Sequence, residues 1–164
     1  MEYTIRKCTV NDASSRGIVH YQSWQETYTG LMPIEFLNET SPEKMGERAA
    51  LHTDNNTFVA VVEKKVVGFG TCLQKSREFV SVKPSGEIVG LYLLREYHGL
   101  GIGRSLLNAL TDELTEKNIV LFVLKGNEHA IGFYKHMGFA FTGKSIVQKV
   151  SGGVIEELEM ALKR

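Results

Sequence analysis

The segment from Glu87 to Leu107, Glu-Ile-Val-Gly-Leu-Tyr-Leu-Leu-Arg-Glu-Tyr-His-Gly-Leu-Gly-Ile-Gly-Arg-Ser-Leu-Leu, constrains the fold of this chain more than any other. Residues 88 to 94 form an apolar run of strand character, and Arg95-Glu96-Tyr97-His98 is a polar turn. Gly99, Gly101 and Gly103 then alternate with other residues, and Leu106, Leu107, Leu110 and Leu114 recur at helical spacing. The order is strand, glycine turn, helix N-terminus. The first turn of a helix carries backbone N–H groups without internal partners and the positive end of the helix dipole. Glycines let a bulky anion come close to the backbone. A pyrophosphate is therefore a natural guest, and Arg104 and His98 stand beside the turn to add charge.

Two standard phosphate fingerprints fail here. A P-loop requires Lys-Ser/Thr after its last glycine, whereas Gly103 is followed by Arg104-Ser105. A dinucleotide G-x-G-x-x-G counted from Gly99 requires glycine where Arg104 stands, and counted from Gly101 it requires glycine where Leu106 stands. A glycine turn alone is also compatible with a tight strand–helix connection that binds nothing.

A second segment narrows the reading: Asn127-Glu128-His129-Ala130-Ile131-Gly132-Phe133-Tyr134-Lys135-His136-Met137-Gly138-Phe139. Together the two segments resemble the GCN5-related N-acetyltransferase (GNAT) superfamily. Its pyrophosphate loop reads Arg/Gln-x-x-Gly-x-Gly/Ala, matched by His98-Gly99-Leu100-Gly101-Ile102-Gly103, with Arg104 and Ser105 following. Its later signature, Asn…Ala…Phe-Tyr…Gly-Phe, is matched by Asn127, Ala130, Phe133, Tyr134, Gly138 and Phe139. The match covers about half the chain. It departs from the pattern at His98, where Arg or Gln is usual, and at Arg95-Glu96, where a proline usually precedes the loop.

The resemblance implies an α/β (α+β) fold with a mixed, mostly antiparallel central sheet flanked by helices and splayed between the fourth and fifth strands. It also implies acetyl-CoA as co-substrate. Free backbone groups at Leu91, Tyr92 and Leu93 would bond the pantetheine arm from one side and Asn127 from the other. The residues leave room for such chemistry. A phenol of pKa near ~10 can protonate a leaving thiolate whose thiol pKa is about 8.5, so Tyr134 is the candidate general acid, with core packing beside Phe133 as the bland alternative. Glu87 is the candidate base. It lies six residues before Leu93 on the same expected strand face and resembles the catalytic glutamate of histone-type members, although an exposed charge at the strand entrance is the plain alternative. Glu26, His20 and a water chain stay open as bases. Cys72 has nothing nearby in sequence to activate it as a nucleophile.

The remainder fits one domain over residues 1–164. With 43% hydrophobic residues the chain can bury a core. Nineteen basic residues balance nineteen acidic ones, so there is no basic footprint for nucleic acid. No apolar run is long enough for a membrane span, Met1-Glu2-Tyr3-Thr4 does not read as a signal peptide, and the two cysteines, Cys8 and Cys72, suggest neither a disulfide framework nor a zinc site. A cytoplasmic setting without a bound metal is expected.

Strands are expected over 3–9, 57–63, 66–73, 87–94, 120–124, 139–150 and 154–162, with helices over 13–27, from Pro33, from Pro42 to Leu51, over 101–117 and over 128–137. Asn11-Asp12 and Ser41 read as N-caps, Pro33 as a first helical residue, residues 52–56 as a polar turn, and residues 74–84 as a loop or strand extension. Gly17, Tyr21, Trp24 and Tyr28 fall on one helix face, either as core or as part of an acceptor wall. The resemblance favours the wall, and Trp24, Tyr28 and Glu26 are the candidate substrate contacts. The run from Trp24 to Pro33 resembles a bacterial subgroup that includes polyamine acetyltransferases.

The leading expectation is an N-acetyltransferase acting by direct transfer on a primary amine, which could belong to a polyamine, a small molecule or a peptide. A non-catalytic acyl-CoA sensor is the alternative, and a nucleotide-binding oxidoreductase is disfavoured by the failed fingerprints. Pairing of edge strands across a homodimer is an expectation of the resemblance.

Overall fold

The computed structural model describes residues 1–52 and 56–164, so most of the expected turn at 52–56 lies outside the described residues. Among the described residues seven strands form one sheet in the order β1-β2-β3-β4-β5-β7-β6. They are β1 (Thr4–Lys7), β2 (Thr57–Val62), β3 (Lys65–Leu73), β4 (Gly86–Leu93), β5 (Asn118–Leu124), β6 (Ala140–Val150) and β7 (Gly153–Lys163). All neighbours are antiparallel except β4 and β5. Helices α1 (Ala13–Tyr28), α2 (Ile34–Leu37), α3 (Pro42–Leu51), α4 (Ile102–Glu113) and α5 (Glu128–His136) flank the sheet. The architecture is the mixed, mostly antiparallel α/β sheet that the resemblance implies.

Local chemistry explains most boundaries. Ser41 caps α3 by accepting a hydrogen bond from Lys44 N at 3.2 Å, with Pro42 opening the helix. Pro33 occupies the N-cap of α2, one position before its expected place. Asp12 stands at the N-cap of α1 without capping it; its carboxylate instead accepts from Arg6, from Thr9 N and from Thr9 Oγ. Helix α4 stops earlier than expected, because Leu114 turns to extended backbone and buries its side chain. Gly138 ends α5 with φ of 95°, in the left-handed region that glycine favours.

The core lies on both faces of the sheet. Under α4 and α5, Leu107, Leu110, Leu121, Ile131, Tyr134 and Met160 pack together. On the opposite face Val19 of α1 meets Val59 and Phe69. Helix α1 lies so close to α3 that a Cβ on Gly17 would fall 2.6 Å from Gly46 Cα. No helix among the described residues is long and apolar enough to cross a membrane.

Two irregularities shape the site. Strands β4 and β5 pair only at Gly86–Ile119, Glu87–Val120 and Ile88–Leu121, although β4 runs on to Leu93 and β5 to Leu124. Beyond Ile88 the two strands part, leaving one edge of β4 without a strand partner. In addition, β4 carries a bulge. Thr71 lies opposite Gly90 and Cys72 opposite Ile88, so Val89 is extra. The bulge reverses strand parity: Ile88 and Leu91, three residues apart, both pack under α4. The six-residue spacing that was expected to put Glu87 and Leu93 on one face therefore puts them on opposite faces.

Candidate active site

The gap between the parted strands widens into a cleft of about 750 Å³. That size suits a large organic ligand. One end has the features that suit an anion. Gly99 and Gly101 take φ of 75° and 84°, conformations that cost an L side chain about 1–2 kcal/mol. Gly101 is the N-cap of α4 and no side chain caps the helix. The N–H groups of the first turn, Ile102 to Arg104, are thus left to an incoming anion. His98 lines this end, its Nε2 3.0 Å from Leu93 O and its ring stacked on His129 with centroids 5.0 Å apart. Arg104 also lines it, 3.0 Å from His136 Nε2.

The middle of the cleft is lined by β4 and α5. Leu91, Tyr92 and Leu93 line it from the free edge of β4, and Ala130, Phe133 and Tyr134 from α5. Asn127 caps α5, its Oδ1 accepting from Ala130 N at 3.3 Å. The cap engages the carbonyl oxygen and leaves the amide NH2 as donors. Tyr134 is buried between Phe133 and Phe139 and still reaches the cleft. Burial, with Tyr92 as a lesser cause, raises its phenol well above the ordinary value.

The other end is walled by aromatic rings. Tyr28 and Tyr92 line it. Trp24 stands behind Tyr28, edge-on at 5.5 Å, and His20 behind Tyr92 at 4.3 Å. Burial, then Arg16 and Arg48, pushes His20 down to about 4. It is neutral at pH 7, does not line the cleft, and so makes a poor base. Ser23 lines the cleft, is 3% exposed, and its Oγ has no partner. Glu157 of β7 also lines the cleft. It lies opposite Leu124 of β5, at the point where β5 has left β4.

Several residues singled out from the sequence lie elsewhere. Glu87 is fully buried and does not line the cleft. Its carboxylate accepts from Arg77 N at 3.0 Å and from the Arg77 guanidinium, which ties the loop of residues 74–85 to the sheet. Glu26 accepts from Arg95 N at 2.9 Å and from Gln22, joining α1 to the turn after β4. Ser105 Oγ is 2.9 Å from Tyr3 Oη, Ile102 is buried against Ala60 and Val62, and Leu100 is exposed at the turn. Ile102 can thus meet an anion only through its backbone. Glu157 and Ser23 were not singled out from the sequence. A signal for the first existed: Ile155, Glu157 and Glu159 fall on one face of the expected strand 154–162, and carboxylates are uncommon in strands.

Comparison with known proteins agrees with this geometry. The profile of the acetyltransferase (GNAT) family matches residues 20–139. The spermidine N(1)-acetyltransferase of Thermoplasma acidophilum is 26% identical over 150 residues, covering 85% of this chain and 89% of that protein. An uncharacterized N-acetyltransferase of Bacillus subtilis, YuaI, is 31% identical over 107 residues, 63% of this chain and 60% of that protein's length. In fold, the PaiA N-acetyltransferase of Thermoplasma acidophilum, solved in complex with coenzyme A, matches with a TM-score of 0.73 over 100% of both chains at 23% identity. With the family profile spanning most of its length and the splayed β4–β5 pair behind the glycine turn, the chain belongs to the acetyltransferase (GNAT) family.

Proposed function

We propose that this acetyl-CoA-dependent acetyltransferase passes the acetyl group directly from the thioester to a primary amine bound in the same cleft. The observation that carries the reading is the continuity of that cleft. The anion receptor at Gly99–Arg104, the phenol of Tyr134 and the aromatic wall of Tyr28 and Tyr92 open into one space. Relatives named as spermidine or spermine acetyltransferases support an amine acceptor.

The pyrophosphate of acetyl-CoA sits on the first turn of α4, and the pantetheine arm runs along the free edge of β4 toward Asn127. Attack by the amine nitrogen on the thioester carbon moves charge to the carbonyl oxygen, which a backbone N–H of Leu91 or Leu93, the residues of this stretch that face away from β3, receives. Tyr134 serves the departing sulfur. Because burial raises its phenol, full proton loss to a thiolate of thiol pKa about 8.5 is uphill on its own. The phenol therefore releases its proton as the nitrogen's proton replaces it, acting as a relay. Cys72 is buried under α4 and does not line the cleft, so transfer needs no acetyl-cysteine intermediate.

Thiol release from acetyl-CoA, measured with a thiol-reactive dye against spermidine, spermine, amino acids and short peptides, tests the reading. Turnover with an amine is expected, and Tyr134→Phe is expected to lower kcat on the order of 10²-fold with the acetyl-CoA KM unchanged. Tight CoA binding with no turnover on any amine would instead favour a sensing module.

A further inference from the structure

We propose that Glu157 and Ser23, between the rings of Tyr28 and Tyr92, form the recognition site for the ammonium group of the acceptor, and that Glu157 takes its first proton. The proposal deepens the amine-acetylation reading and rests on it for the proton step. Four observations converge. Glu157 and Ser23 line the same cleft as Tyr134. Ser23 is 3% exposed with an unpartnered Oγ, a buried acceptor that lacks its donor. Tyr28 and Tyr92 offer ring surface to a cation. Glu156, next to Glu157 in β7, pairs with Lys125 at 2.8 Å and does not line the cleft, leaving Glu157 as the carboxylate of this strand segment that meets it.

The electrostatic surroundings fit both tasks. The groups acting on Glu157 are Arg77 from loop 74–85 and Glu87 from β4, and Glu157 in turn acts on Tyr28 of α1 and Tyr92 of β4. Arg77 is already engaged by Glu87, so Glu157 is left with a net need for positive charge. Desolvation, the largest cause, raises its carboxyl above the ordinary value, which makes it a better proton acceptor than an exposed glutamate. Thr27 and Met32 line the cleft on the α1–α2 side, a surface suited to an aliphatic chain behind the ammonium. The ligand class is a primary alkylammonium.

The proton accounting closes. The ammonium gives one proton to the Glu157 carboxylate, which later releases it to solvent. The freed nitrogen lone pair forms the N–C bond, and the carbonyl π pair moves to oxygen. The oxygen pair then re-forms the C=O bond as the C–S bond breaks, the C–S pair leaving with sulfur, which takes the Tyr134 proton. The second proton on nitrogen restores the phenol. The net products are the amide, CoA thiol and one proton.

The test uses Glu157→Gln, which keeps the side-chain volume, and Glu156→Gln as control. Butylamine and spermidine are titrated into the CoA-loaded protein and followed by the fluorescence of Trp24, the single tryptophan, which stands against Tyr28. Saturable binding is expected in the wild type and in Glu156→Gln, weaker by about tenfold to a hundredfold in Glu157→Gln, and undetectable for neutral 1-butanol in all three. In turnover assays the Gln variant should also lose the acid limb of kcat/KM against pH. Equal amine binding in wild type and Glu157→Gln, or no binding in either, overturns the proposal. Ammonium binding that depends on Glu157 without any thiol release would uphold the recognition site and overturn the acetyl-transfer reading.

Discussion

Gly17→Ala separates packing from propensity where α1 meets α3. Alanine is favoured over glycine by about 1 kcal/mol inside a helix, and Gly17 lies within α1. Propensity alone therefore predicts stabilisation. The structure predicts the reverse. A Cβ at this position would fall 2.5 Å from Pro42 O and 2.6 Å from Gly46 Cα, with Gly46 N also inside contact distance. Favourable carbon contacts lie at about 3.5–4.0 Å, so α1 and α3 must move apart by roughly 1 Å. All three obstacles are backbone atoms, which have no rotamer to change. Overpacking typically costs about 1–3 kcal/mol, and this geometry belongs at or beyond the upper end. The net effect is a loss of about 2 kcal/mol. In a chain of this length that lowers Tm by about 4–8 °C, read by calorimetry or urea melts. Gly132→Ala supplies the opposite case: it lies in α5 with nothing within 4 Å of its added Cβ, and a rise of about 2–4 °C is expected. An unchanged or raised Tm in Gly17→Ala would refute the packing argument.

Gly101→Ala meets little obstruction, its Cβ lying 3.6 Å from Tyr3 Oη, but it forces alanine into φ of 84°. The glycine turn should distort, acetyl-CoA affinity should fall about tenfold by calorimetry, and Tm should drop by about 2–8 °C. Asp12 is held well below the usual carboxylate range, chiefly by its hydrogen bond with Arg6; burial opposes this, and the Thr9 donors add to the lowering. A lowered folded-state pKa gives stability that is complete above the unfolded value near ~4 and is lost as pH falls below it. Asp12→Asn should therefore melt below the wild type at pH 7, with the gap closing below about pH 4. A gap constant from pH 7 to 3 would contradict that account.

Periodicity and turn chemistry carried most of the fold. The leucines of α4, Ser41-Pro42 before α3 and Gly138 after α5 each have a local cause, and the structure places elements where those causes act. The misses have non-local causes. Leu114 leaves α4 because a buried site beside Ile119 and Leu121 takes its side chain, and no residue near it announces a stop. Asp12 leaves the capping role because Arg6, on the neighbouring strand, offers a charged partner at 2.8 Å.

The site was legible where it depends on backbone geometry and less so where it depends on which face a side chain takes. Glycines at 99 and 101 and the cap at Asn127 are written into local sequence, and they line the cleft. The choice of carboxylate was not. Counting residues from Glu87 to Leu93 assumes an unbroken pleat, and one extra residue, Val89, turns Glu87 away toward Arg77. The bulge lies where β4, still paired with β3, leaves β5 after Ile88. Glu157 of β7, opposite Leu124 at the end of β5, reaches the cleft that this divergence opens. Loss of Glu87 from the cleft and gain of Glu157 are thus two consequences of one departure of strands, and a sequence read strand by strand has no term for it. The arrangement also explains why a half-buried carboxylate is tolerated near the buried Glu87. Glu87 is satisfied by Arg77 within the protein, and on the proposal above Glu157 is satisfied by the cationic acceptor.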